Sequence, residues 1–119
     1  MILVTGATGF LGSFICKRLI DDGLEFIALK RPESSLELVK EFESDIKWHE
    51  GDITNIDSFD TLLEKIDTVI HAAAIVSFHS SDREAMSKVN VESTKLLINS
   101  CLRHEVKRFI FISSVAALG

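Results

Sequence analysis

The sequence predicts an α/β fold, a doubly wound parallel sheet of five strands in the order 3-2-1-4-5, and three observations carry that expectation. Short runs rich in Val, Ile, Leu and Phe alternate with stretches of helical apolar spacing, the pattern of a parallel sheet covered on both faces. The first strand runs straight into a turn with glycines three residues apart, Gly6, Gly9 and Gly12, which opens a helix. Right-handed crossovers leave few topologies, and a phosphate turn after strand 1 selects the order in which strands 1 and 4 diverge.

Met1 to Val4 is the first strand. A helix follows Gly12, with Leu11, Phe14, Ile15, Arg18 and Leu19 on one face, Lys17, Asp21 and Asp22 on the other, and Gly23 as C-cap. Glu25 to Leu29 is a strand-length apolar run ended by Lys30, Arg31 and Pro32. Ser34-Ser35-Leu36-Glu37 has capping-box form and predicts a helix through about Phe42. Ile46 to Glu50 alternates as strand 3, and Thr54-Asn55-Ile56-Asp57 predicts a helix through Phe59, Leu62, Leu63 and Ile66. Thr68 to His71 is strand 4, Val76 to Ser80 a loop, and Ser81-Asp82-Arg83-Glu84 caps a long helix. Its expected apolar face is Ala85, Val89, Leu96, Leu97, Cys101 and Leu102, and His104 and Glu105 close it. Arg108 to Ile112 is strand 5, ending in Ser113-Ser114.

With 119 residues, 46% of them hydrophobic and 26% charged, the chain has the size and composition of one globular domain. A net charge of −5 argues against a nucleic-acid or anionic-membrane surface. Cys16 and Cys101 lie far apart in apolar patterns with no Cys/His cluster, so they read as reduced core residues of a cytoplasmic protein, with no disulfide and no metal site. The N-terminus enters a strand with no basic leader, and no apolar run approaches the ~20 residues that span a bilayer.

The glycine turn carries the chemistry. N–H groups at a helix start lack partners, the helix dipole favours an anion there, and glycines let a pyrophosphate approach without a Cβ in the way. The spacing is G-x-x-G-x-x-G, not the standard G-x-G-x-x-G. Ligands bind such sheets at the carboxyl edge, where the strand order reverses between strands 1 and 4.

Five elements in order resemble one family, the extended short-chain dehydrogenase/reductases, the group that contains nucleotide-sugar epimerases, dehydratases and dihydroflavonol reductases. Thr5-Gly6-Ala7-Thr8-Gly9-Phe10-Leu11-Gly12 matches its TGATGFLG turn. Gly51-Asp52-Ile53 is similar to its GD-[IL] element, Val69 to Ala74 to its VIHxAA, Asn90 to Thr94 to its NVxGT with Ser93 in place of glycine, and Phe109 to Ser114 to its strand 5 ending in SS. The resemblance spans the whole chain and implies an NAD(P)-binding Rossmann-like domain over residues 1–119.

It also implies residue roles. Gly6, Thr8, Gly9, Phe10, Leu11 and Gly12 would form the pyrophosphate turn, with Phe10 and Leu11 supplying backbone N–H groups. Asp52 would accept the adenine amino group while the Ile53 backbone reads the ring edge, the plainer alternative being a helix N-cap. Ala72, Ala73 and Ala74 would lie along the cofactor, or simply pack tightly. Asn90 would tie its helix to strand 4 near the site, and His71 reads as a buried, hydrogen-bonded histidine. No carboxylate ends strand 2; Lys30 and Arg31 stand there, and an arginine accommodates a 2′-phosphate, so the expected cofactor is NADP in preference to NAD. A solvated basic pair before Pro32 is the bland alternative.

Ser114, with Ser113 as the alternative, matches the family's residue that hydrogen-bonds the reacting oxygen of a small-molecule substrate. The family's tyrosine acid/base comes from a downstream Tyr-x-x-x-Lys motif, and this chain contains no tyrosine. It is therefore expected to be the N-terminal part of a longer enzyme, inactive by itself; a non-catalytic NADP-sensing module is the alternative. An open edge at strand 5 leaves room for self-association, as a homodimer.

Overall fold

The computed structural model describes residues 1–72 and 80–112, the side chains of 80–90 excepted. Five strands, β1 (Ile2–Thr5), β2 (Phe26–Lys30), β3 (Lys47–Glu50), β4 (Thr68–His71) and β5 (Arg108–Phe111), form one parallel sheet in the expected order β3-β2-β1-β4-β5. The register aligns Thr5 with His71 and His71 with Phe111, and Lys30 with Glu50. Every strand therefore ends at one common edge, and the order diverges between β1 and β4.

The period-2 alternation of the strands divides the core in two. Val4, Phe26 and Ala28 pack with Cys16 and Leu19 of α1 (Phe10–Asp21) and with Val39 and Ile46. Leu3, Ile27, Leu29 and Val69 face the other way, onto Phe59, Leu62, Leu63 and Ile66 and onto Leu97 and Cys101 of α2 (Ser80–Arg103). Helical layers thus cover both faces of the sheet.

Both helices end in the same hydrogen-bonded motif. After α1, Gly23 at φ +70° donates to the Ile20 carbonyl and Leu24 to the Leu19 carbonyl, both at 3.0 Å. After α2, Glu105 at φ +58° donates to Leu102 at 3.3 Å and Val106 to Cys101 at 2.9 Å.

Three expectations need correction. On α1 the sheet-facing residues are Gly12, Ser13, Cys16 and Leu19, while Phe10, Leu11 and Phe14 are exposed and the two phenylalanines meet edge to face at 5.2 Å. The cause is Gly12, which lies so close to β1's exit that it turns its own face of the helix inward. On α2, Leu97 and Cys101 are buried with Ser93 and Ser100, but Leu96 and Leu102 point outward; the Ala85 and Val89 side chains lie outside the described residues. The two expected middle helices are short 3₁₀ turns instead, Glu37–Val39 and Glu43–Asp45 before β3, Ile56–Ser58 and Asp60–Lys65 after it. Their apolar residues recur every third position, as Leu36, Val39, Phe42 and as Ile56, Phe59, Leu62, which a 3₁₀ turn stacks on one side. Ser34 does not cap either, because its hydroxyl accepts the Arg31 N–H at 3.1 Å.

Candidate functional site

The carboxyl edge of the sheet is built first by the β1–α1 turn. Gly6 adopts φ +69°, a conformation open chiefly to glycine, and Gly9 N–H closes the turn onto the Gly6 carbonyl at 3.1 Å. Ser13 N–H makes the first intrahelical bond, to the Gly9 carbonyl at 2.9 Å, which leaves the Phe10, Leu11 and Gly12 N–H groups without a helical acceptor. No side-chain hydrogen bond caps this end and its first turn holds no acidic residue, so among the described residues nothing in the cap or first turn compensates the positive end of the helix dipole.

The glycines are not equivalent. A Cβ on Gly12 would sit 1.8 Å from the Gly6 carbonyl oxygen, which packing forbids outright. One on Gly9 would lie 3.4 Å from the same oxygen, an ordinary contact, and its backbone (φ −84°, ψ 177°) suits any residue. Gly12 is thus required by the fold, whereas Gly9's bareness is not. An uncapped helix end and a Cβ-free floor together fit the pyrophosphate of a dinucleotide.

At the end of β2, Lys30 is mostly buried and its Nζ lies 4.0 Å from Glu50 Oε1 across the β2–β3 register. Arg31 is exposed, with Nε 3.6 Å from Glu33 Oε1. At the end of β3, Asp52 Oδ1 accepts both the Thr54 N–H (2.9 Å) and the Thr54 hydroxyl (2.7 Å), while Asp52 N–H donates to Ser58 Oγ at 2.9 Å. The Thr54 backbone N–H, then its hydroxyl, and more weakly the nearby Arg31 charge hold the Asp52 carboxyl below its ordinary range. Both bonds use Oδ1, so Oδ2 carries neither. Ile53 follows, partly buried against the core, and Gly51 is packed so tightly that a Cβ would meet Leu29 at 2.8 Å.

At the end of β4, His71 is fully enclosed. Its Nδ1 lies 2.7 Å from Thr5 Oγ1 and its Nε2 3.2 Å from Thr94 Oγ1, and either hydroxyl can donate or accept. Burial pushes the imidazole down to about 4, so the ring is neutral at pH 7. Through this bond Thr94 ties α2 to β4. Asn90 stands one turn earlier on α2, its side chain outside the described residues. Thr5 and Thr94 stand inside the Thr5–Gly12 and Asn90–Thr94 motifs, but residue spacing does not display that their hydroxyls bracket His71. Ala72 continues the ladder, donating to the Thr5 carbonyl at 3.2 Å. Ala73, Ala74, Ser113 and Ser114 lie outside the described residues.

The fold thus brings the turn from Gly6 to Gly12, Lys30 and Arg31, Asp52 and Ile53, and Ala72 to one sheet edge. A separate polar cluster joins α2 to the turn before β4: Asp60 accepts bonds from Ser100, from Arg103 at 3.2 Å and from His104 at 3.2 Å. Among the described residues no group of His, Cys, Asp and Glu could hold a metal ion, and no helix is long and apolar enough to cross a membrane.

Comparison with known proteins agrees with this geometry. The model of the NAD dependent epimerase/dehydratase family matches residues 2–119. The chain is 31% identical over 126 residues to dihydroflavonol 4-reductase of Gerbera hybrida, covering 99% of this chain and 34% of that protein. It is 32% identical over 127 residues to UDP-glucose 4-epimerase of Dictyostelium discoideum, covering 99% and 37%. Its fold matches the crystal structure of a short-chain dehydrogenase/reductase superfamily protein from Agrobacterium tumefaciens with bound NAD, with a TM-score of 0.75, 28% identity, and coverage of 96% of this chain and 32% of that one. The chain therefore spans about a third of the length of the relatives it matches.

Proposed function

The chain belongs to the NAD dependent epimerase/dehydratase family, and from that premise we propose that it is the NAD(P)-binding portion of an extended short-chain dehydrogenase/reductase acting on a nucleotide-sugar or a carbonyl/alcohol substrate. The observation that carries this reading is the β1–α1 turn: an uncapped helix end free of acidic residues, over a glycine floor that leaves room for a pyrophosphate.

Each residue then has a task. The Phe10, Leu11 and Gly12 N–H groups donate to the pyrophosphate. Asp52, oriented by Thr54 and Ser58, offers a carboxylate oxygen to the adenine amino group, and the Ile53 backbone meets the ring edge. Ala72, Ala73 and Ala74 leave room along the cofactor's ribose and phosphates, and Asn90 ties α2 to β4 near the site, as Thr94 does through His71. Lys30 and Arg31 receive the 2′-phosphate of NADP, the preferred cofactor, with NAD the lesser one. Ser114, or Ser113 beside it, hydrogen-bonds the reacting oxygen of the substrate. The nicotinamide, when bound, supplies the hydride chemistry.

The 119 residues are one domain of a longer enzyme, and the Tyr/Lys acid/base pair of that enzyme lies outside them. Burial pushes the Cys16 thiol up to about 12 and the Cys101 thiol up to about 11, inert thiols that suit a reducing cytoplasm. The alternative reading is a dinucleotide-binding module without chemistry, which an enzyme with a Tyr-x-x-x-Lys motif beyond these residues would exclude.

Calorimetric titration with NADP and NAD tests the binding claim; saturable binding, tighter for NADP, is expected, and no binding of either refutes it. A sensitive oxidoreductase assay on the 119 residues is expected to show no turnover. Cofactor-dependent turnover there would refute both the assigned acid/base pair and the module reading.

A further inference from the structure

The basic end of β2 is not left bare. Arg31, Pro32, Glu33 and Ser34 form a closed turn: Ser34 N–H donates to the Arg31 carbonyl and Arg31 N–H to Ser34 Oγ, each at 3.1 Å, with proline fixing φ at the second position. This turn holds the Glu33 carboxylate 3.6 Å from the Arg31 guanidinium. One strand over, the β2–β3 register sets Glu50 opposite Lys30, 4.0 Å from its ammonium. Each cation expected to receive a 2′-phosphate thus has its own carboxylate, placed by backbone geometry.

We propose that Glu33 and Glu50 limit the preference of this site for NADP by opposing a 2′-phosphate at Arg31 and Lys30. The inference rests on the dinucleotide reading above and adds to it the residues that limit discrimination. A 2′-phosphate carries close to two negative charges, and reaching Arg31 brings it near Glu33, whose repulsion offsets part of the guanidinium's attraction. A ribose 2′-hydroxyl carries no charge and meets no such opposition. Both carboxylates are largely exposed, so their removal leaves the fold intact.

The test is calorimetric titration of the full chain and of the double variant Glu33→Gln/Glu50→Gln with NADP and with NAD. The ratio of NADP to NAD affinity should rise roughly five-fold or more in the double variant at low ionic strength, and the gain should shrink at high salt. Glu33→Asp, which keeps the charge, should leave the ratio near that of the unaltered chain. An unchanged or lowered ratio in the double variant, with both cofactors still binding, overturns this proposal alone. If the unaltered chain binds neither cofactor, the dinucleotide reading fails and this proposal with it.

Discussion

Gly12 and Gly9 look alike in the sequence and differ in kind in the structure. A Cβ on Gly12 would enter the backbone of Gly6, which has nowhere to move, so Gly12→Ala should lower unfolding free energy by at least about 3 kcal/mol in a denaturant titration. Gly9→Ala, with an ordinary contact and an unstrained backbone, should change it by no more than about 0.5 kcal/mol. His71 adds a pH signature. Its folded pKa of about 4 lies below the ordinary 6.5, so the unfolded chain binds the extra proton first. The stability it contributes is complete above pH 6.5 and falls away between pH 6.5 and 4, by up to about 3 kcal/mol. Denaturant midpoints across that range should fall with acidification, and His71→Asn should flatten the dependence. A slope unchanged by the substitution would contradict the burial account.

Among the elements, the strands and the two long helices were legible because their signals are strong: branched apolar runs, a glycine turn and a glycine C-cap. The intervening segments were not legible because Ser34-Ser35-Leu36-Glu37 and Thr54-Asn55-Ile56-Asp57 carry helix-start residues, while the spacing of three in the apolar positions beyond them belongs to 3₁₀ turns. The outward Phe10, Leu11 and Phe14 have another cause: backbone contact at Gly12 outweighs apolar spacing in choosing which side of α1 is buried. The α2 terminus repeats the α1 terminus with a glutamate where the other has glycine. Glu105 at φ +58° carries the left-handed strain that Gly23 avoids, so Glu105→Gly should raise stability by about 0.5–1 kcal/mol, read from thermal or denaturant unfolding. A loss of stability would show that the Glu105 side chain has a role that outweighs this strain.

For the molecule as a whole, parallel pairing, right-handed crossovers and the glycine turn after the first strand together place β1 between β2 and β4 from the sequence, and with them the edge where the glycine turn, the β2 cations and Asp52 converge. Charge pairing across that edge was not legible, because Glu33 and Glu50 meet their partners through a turn closure and a strand register that residue spacing does not display. The central claim, that the β1–α1 turn is a pyrophosphate seat, is tested most directly by measuring NADP affinity and thermal midpoint together for the unaltered chain and for Gly9→Ala. The expected result is a dissociation constant raised at least about ten-fold with the midpoint unchanged, because the new methyl stands where the pyrophosphate must approach. Equal affinity in the two chains, with the fold intact in both, would contradict it.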